Sequence, residues 1–267
     1  MKGSRVGAIV LRILYLYRGS PARVFPIFVF VAVDIILWGF LTRYLNSVAR
    51  ADFNFVPALL GAVLLWDFLT RVMQQITMAL FEDVWSRNFL NFFAAPLRTS
   101  EYLAGLLIIS VITSCLSLVA MLAFARLAFG LSFLTYGVAL APFLMVLFLT
   151  GIALGITASA LVLRLGPASE WLIWPIPMLI SPFAGVFYPI AVLPKWMQAI
   201  AMFLPPSYVF EGMRAVVAGN PPPWDRLALG GGLALLYLVA ACKFFFLVHR
   251  MVIRTGLIAR YSAETVT

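Results

Sequence analysis

The sequence predicts an all-α membrane protein with six transmembrane helices. Three observations predict it. Of the 267 residues, 64% are hydrophobic and only 11% are charged, against about 45–50% and about 25% in an average soluble domain. The mean hydropathy is +1.04. The apolar residues gather into runs near the ~20 residues a helix needs to cross a bilayer, and basic residues flank those runs.

The chain opens with a short basic stretch. From Ser4 to Arg18, residues Val6, Ile9, Val10, Ile13 and Leu14 fall on one helical face, and Arg5, Arg12 and Arg18 lie largely off it. Gly19-Ser20-Pro21 stops it. Residues 1–20 are expected to form an amphipathic helix in the cytoplasmic membrane interface. Six spans follow, at about Val24–Leu45, Phe55–Leu80, Tyr102–Phe129, Phe133–Leu163, Glu170–Tyr188 and Leu227–Val248. No small-x-small cleavage site follows the first, so no cleaved leader is expected.

Two connections are not ordinary polar loops. Residues 81–98 mix charges with aromatic and aliphatic side chains and end at Pro96, as a short helix with a greasy and a charged face would. Residues 189–214 hold apolar pieces too short to span, punctuated by prolines. They are expected to be short helices dipping into the outer leaflet, shielded by protein. In the fourth span Gly151, Gly155 and Ser159 recur every fourth residue, a strip that permits close helix packing.

Orientation follows from the basic residues. With a cytoplasmic N-terminus, the inner loops and tails hold twice as many Lys and Arg as the outer ones, so both termini are expected inside. The net charge of +9 is spread over span ends. It fits lipid headgroups rather than nucleic acid, which asks for a concentrated basic footprint.

The missing chemistry is equally informative. The three lysines stand in Lys2-Gly3, Lys195-Trp196 and Lys243-Phe244, and none offers the Gly-Lys-Ser/Thr of a phosphate loop. The chain is therefore not itself a P-loop ATPase. One histidine, His249 at a span end, and scattered carboxylates leave no HExxH or other metal site and no nucleophile with its base, so no catalytic residue, metal or cofactor is expected in this chain. Cys115 and Cys242 sit in apolar runs and say nothing of redox compartment.

Charges inside spans stand out. Asp34 lies midway in the first. Asp67 and Arg71 lie in the second at i,i+4, in the order the helix dipole favours. An ionised group at the bilayer centre costs about 2.5–3.5 kcal/mol on insertion scales, so these three face the bundle interior. A structural ion pair and a place on a substrate path are both open readings, and Trp38 could line such a path.

Two regions resemble a known family. Glu82-Asp83, then Ala95-Pro96-Leu97-Arg98 and Glu101-Tyr102, resemble the acidic start, helix, "SPL" turn and acidic-aromatic pair of ABC-2-type ABC transporter permeases, with Ala95 where many members have Ser. Gly185-Val186-Phe187-Tyr188-Pro189, Pro194, Trp196, Pro205-Pro206-Ser207-Tyr208 and Glu211-Gly212-Met213-Arg214 resemble the family's extracytoplasmic signature, with Pro206 at a place often held by an apolar residue. The likeness extends over nearly the whole chain, read as one transmembrane domain over 1–267.

This resemblance implies a permease subunit of an ATP-driven exporter in a bacterial inner membrane. Two copies of a separate ATPase subunit would bind ATP and Mg, and the permease would pair with a second copy of itself. Residues 81–98 would be the coupling helix, with Glu82, Asp83 and Arg87 supplying charge and Trp85, Phe89, Pro96, Leu97 and Arg98 completing the contact. Residues 189–214 would be a re-entrant hairpin. Gly185, Phe187, Tyr188, Pro189, Pro194, Pro205 and Tyr208 would form the outer gate. Asp34, Trp38, Asp67 and Arg71 would line the path. The implied cargo is a lipid-linked glycan, lipid, oligosaccharide or amphipathic drug. The rival reading is a proton-driven secondary transporter using Asp34, Asp67 and Arg71. The lack of an internal repeat counts against it.

Overall fold

The computed structural model describes residues 3–48, 56–85, 99–166, 169, 171 and 173–255. All regular structure among them is helical. Helix α1 (Gly3–Gly19) and helix α2 (Pro21–Val48) are separated by Ser20 alone. A residue before proline is driven out of the helical region, and proline itself suits a helix start.

Helix α3 (Gly61–Trp85) is entered through a π-helical turn at Val56–Leu60. Tyr136 donates its hydroxyl to the Pro57 carbonyl oxygen at 2.6 Å. Gly61 has no Cβ where that hydroxyl passes. Helix α4 (Thr99–Phe129) and a 3₁₀ stretch at Phe133–Ala139 lead into helix α5 (Leu140–Leu165). Helix α6 (Pro175–Ala184), helix α7 (Lys195–Ala201), helix α8 (Pro205–Val217) and helix α9 (Trp224–Arg254) complete the chain.

Among the described residues, four helical segments are long and apolar enough to cross a membrane: Phe28–Val48, Ser100–Phe129, Phe133–Leu165 and Trp224–Arg254. They coincide with the first, third, fourth and sixth expected spans. The second is different in kind. Helix α3 has 25 residues, about 37 Å at ~1.5 Å per residue, but Asp67, Arg71, Gln74 and Gln75 dilute its apolar character. Leu64, Leu65, Leu69, Val72, Met73 and Leu80 on it are wholly buried. A helix enclosed by protein can carry polar groups that a lipid-facing one cannot.

The fifth expected span, 170–188, is not a membrane-length helix. Helix α6 has 10 residues, about 15 Å, or half the ~30 Å hydrocarbon core. Pro175 opens it, Pro182 lies within it, and Gly185 ends it in the left-handed region at φ 66°. That conformation is cheap only for glycine.

Helix α5 is the centre of the bundle, packed between α3 and α9. Helix α3 also packs on α4, and α1 and α2 pack on α4. The small-residue strip faces α3: a Cβ at Gly151 would stand 2.8 Å from the Leu69 carbonyl oxygen. Helix α1 places Val6, Ile9 and Ile13 in the protein core, and Ile9 Cγ2 sits 2.7 Å from where Gly105 of α4 would carry a Cβ. Most of the face read as lipid-binding is thus turned to protein; of its residues Leu14 is exposed, as are Leu11 and Tyr15. Arg5 Nη1 meets Glu101 Oε2 at 3.3 Å, where the Glu101 side chain is 2% exposed. At the other end of α1, Tyr17 donates to Gln75 Oε1 of α3 at 3.5 Å.

Candidate functional site

Helices α2 and α3 bring Asp34, Asp67 and Arg71 together. Arg71 donates from Nε to Asp67 Oδ2 at 2.6 Å and from Nη2 to Asp34 Oδ2 at 3.2 Å. The first bond is the i,i+4 pair along α3. The second crosses to α2, and no sequence spacing encodes it. The side chains of Arg71 and Asp67 are 11% and 17% exposed, while Asp34 is 44% exposed. One guanidinium therefore holds a buried carboxylate on one side and a half-open carboxylate on the other. The fork of donors on Arg suits two carboxylates at once, where a single ammonium would not. Asp34 is the 14th of the 28 residues of α2, so the cluster lies at mid-depth of that helix.

One turn from Asp34, Trp38 stacks on Phe187 with ring centroids 5.5 Å apart and planes 15° apart. This contact ties α2 to the loop that follows α6. It joins a residue placed on the expected path to one placed in the expected gate.

The segment from Gly185 to Arg214 is cross-braced. Gly185 turns the chain out of α6, and Tyr188 donates its hydroxyl back to the Pro182 carbonyl oxygen at 2.9 Å. Pro189 is extended and exposed before a 3₁₀ turn at Ile190–Val192. Pro194 caps α7, and Pro205 sits buried in the first turn of α8. Gln198 donates to the Leu193 carbonyl oxygen at 2.8 Å. Tyr208 donates to the Met202 carbonyl oxygen at 2.8 Å, and Tyr237 of α9 to that of Phe203 at 2.6 Å. Helices α7 and α8 thus form two short helices joined by Met202–Leu204.

Glu211 is the residue whose role the sequence did not reveal. Its Oε1 accepts the Ile190 backbone N–H at 2.8 Å and Arg214 Nη2 at 2.8 Å. It fastens α8 to the turn before α7. The available signal was a carboxylate three residues before an arginine in an otherwise apolar stretch.

Of the expected coupling residues, Glu82, Asp83 and Trp85 belong to the last turns of α3. Arg87, Phe89, Pro96, Leu97 and Arg98 lie outside the described residues. Among the described residues, no group of three or more His, Cys, Asp or Glu is placed to hold a metal ion.

Comparison with known families gives one match. The profile described as ABC-2 family transporter protein covers residues 42–248. That range contains α3 to α8 and most of α9. It includes Asp67, Arg71 and the whole of 185–214, and leaves Asp34 and Trp38 just before its start. Comparison with curated proteins returned no match.

Proposed function

The chain belongs to the ABC-2 transporter family, and on that premise we propose that it is the membrane-spanning half of an ATP-driven exporter. Two copies of this chain would work with two copies of a separate ATPase that carries ATP and Mg. The match over 42–248 carries the reading, since it takes in every element from α3 to the outer hairpin. The setting is a bacterial inner membrane with both termini cytoplasmic, supported by the excess of Arg and Lys in the inner loops and tails.

Glu82 and Asp83 stand in the last turn of α3. In this reading they pass ATPase movement up α3 toward Arg71. Arg87, Trp85, Phe89, Pro96, Leu97 and Arg98 complete the docking segment. Asp34, Trp38, Asp67 and Arg71 line the path. Gly185, Phe187, Tyr188, Pro189, Pro194, Pro205 and Tyr208 build the outer closure as a re-entrant hairpin. The Trp38–Phe187 stack is the physical link between path and closure. A coupling element needs a packed interface and charge pairs that survive both states. The cargo is an amphipathic molecule: a lipid, a lipid-linked glycan, an oligosaccharide or a drug.

The test is purification of the tagged chain from native membranes in mild detergent. An ATPase subunit recovered near one to one, active on ATP, supports the reading. A chain recovered alone, with cargo flux abolished by a protonophore while ATP stays high, replaces it with the proton-driven alternative.

A further inference from the structure

The charge cluster between α2 and α3 is not balanced. With both carboxylates ionised, Asp34 and Asp67 carry two negative charges and Arg71 one positive. Arg71 is committed to Oδ2 of each aspartate. Asp34 Oδ1 takes no partner among the described residues, and the side chain is 44% exposed. The next cation on α2, Arg43, is turned away: its Nη2 donates to the Ala128 carbonyl oxygen at 3.2 Å and its guanidinium stands 5.0 Å from the Phe129 ring centroid.

The face of α2 that carries Asp34 has an aromatic residue one turn to either side of it. Phe30 and Trp38 lie four residues to either side of Asp34, so the three share one helical face. Phe30 is exposed and Trp38 is stacked on Phe187. A carboxylate paired to arginine through one oxygen, half-exposed at the middle of α2 and sharing its helical face with two aromatic residues, matches one ligand chemistry. A positive centre satisfies the excess negative charge, and apolar substituents around it pack on the rings, whose faces attract cations. An anionic headgroup, such as the pyrophosphate of a lipid-linked glycan, meets like charge there.

We propose that the open side of Asp34, between Phe30 and Trp38, binds a lipophilic organic cation, so that the cargo is cationic and amphipathic. The cargo statement rests on the transporter reading above; the binding site does not require an ATPase.

The test uses the full chain in nanodiscs of zwitterionic phosphatidylcholine and two probes of the same shape and opposite charge, tetraphenylphosphonium and tetraphenylborate. Equilibrium binding of labelled tetraphenylphosphonium should be saturable, about tenfold or more weaker in Asp34→Asn, and retained in Asp34→Glu. Asp225→Asn, an exposed carboxylate at the start of α9, should bind as the parent does. If Asp34→Asn does not fold, Trp38→Leu keeps every charge and should weaken cation binding about threefold or more. Equal binding of the borate, or parental affinity in either weakened variant, overturns the site. An ATPase-free chain that still binds the cation through Asp34 overturns the exporter reading and leaves the site standing. A chain that brings an active ATPase but binds both ions alike does the reverse.

Discussion

Gly155 of α5 lies so near α3 that a Cβ built on it would stand 2.8 Å from the Met73 carbonyl oxygen. The obstacle is backbone, which cannot swing away as a side-chain tip would. Gly151, one turn earlier, meets the Leu69 carbonyl oxygen at the same 2.8 Å. Two glycines thus set the distance between the central helix and the helix that carries Asp67 and Arg71.

Gly155→Val should therefore force the helices apart. Overpacking costs about 1–3 kcal/mol, and a backbone obstacle places this change at the upper end. Thermal unfolding in detergent should show a clear fall in midpoint. A parental midpoint would mean that α3 and α5 are not in this contact.

Arg71→Met should be more damaging than loss of either aspartate. It strips the counter-charge from the buried Asp67 and the half-open Asp34 together. Breaking a buried pair costs about 3–5 kcal/mol, and the exposure of Asp34 limits its share. Adding Asp67→Asn to Arg71→Met should recover part of the loss, since the stranded charge is then gone. A double-mutant cycle on detergent stability measures the recovery, and strict additivity would count against the pair.

Gly105→Leu should release α1 from α4. The added side chain occupies the place of Ile9, and the Arg5–Glu101 ion pair loses its support. Limited trypsin digestion should then cut at Arg12 and Arg18 faster than in the parent. Unchanged protection of those sites would place α1 elsewhere.

Glu211→Ala should loosen the outer element while leaving α9 and α5 in place. It removes the acceptor of the Ile190 N–H and the partner of Arg214, and a lost hydrogen bond to a charged group costs about 1.5–3 kcal/mol. Glu211→Gln keeps an acceptor for Ile190 and should be milder. With Val192→Cys as an exposed reporter, thiol labelling of its neighbourhood under mild denaturation should accelerate in the order Gln, then Ala. Identical rates in both would remove Glu211 from the brace.

Glu82→Lys with Asp83→Lys should uncouple ATP hydrolysis from cargo movement while membrane insertion is kept. The pair stands at the end of a single continuous helix that reaches Arg71, so a change there alters what α3 is pushed by. Parental transport in this variant would sink the coupling role.

Most of the helices were legible because lipid leaves a direct trace in composition. The stretches that became α2, α4, α5 and α9 are long and strongly apolar, and their bounds agree with the sequence to within a few residues, except that a 3₁₀ stretch at Phe133–Ala139 precedes α5 and that α9 runs on to Arg254. Helix α6 was over-read. Its apolar residues continue toward Tyr188, yet Pro182 and the left-handed Gly185 end the helix after 10 residues. Apolar content reports burial or lipid contact and does not report length. The apolar periodicity of α1 suits a lipid surface or protein alike, and the close approach of Ile9 to Gly105 of α4 is a tertiary contact that no pattern along α1 encodes.

The sequence by itself determined the class of the protein: a chain too apolar for water, without a phosphate loop, carrying three charges where charges are costly. It also determined the Asp67–Arg71 pair, because i,i+4 spacing is a property of one helix. Only the tertiary structure decided that Asp34 shares Arg71, that Trp38 stacks on Phe187, and that Glu211 fastens Ile190. Each of these contacts joins residues on different elements, and their geometry is fixed by how helices cross. Local patterns record what each helix faces, and packing alone selects which neighbour it meets.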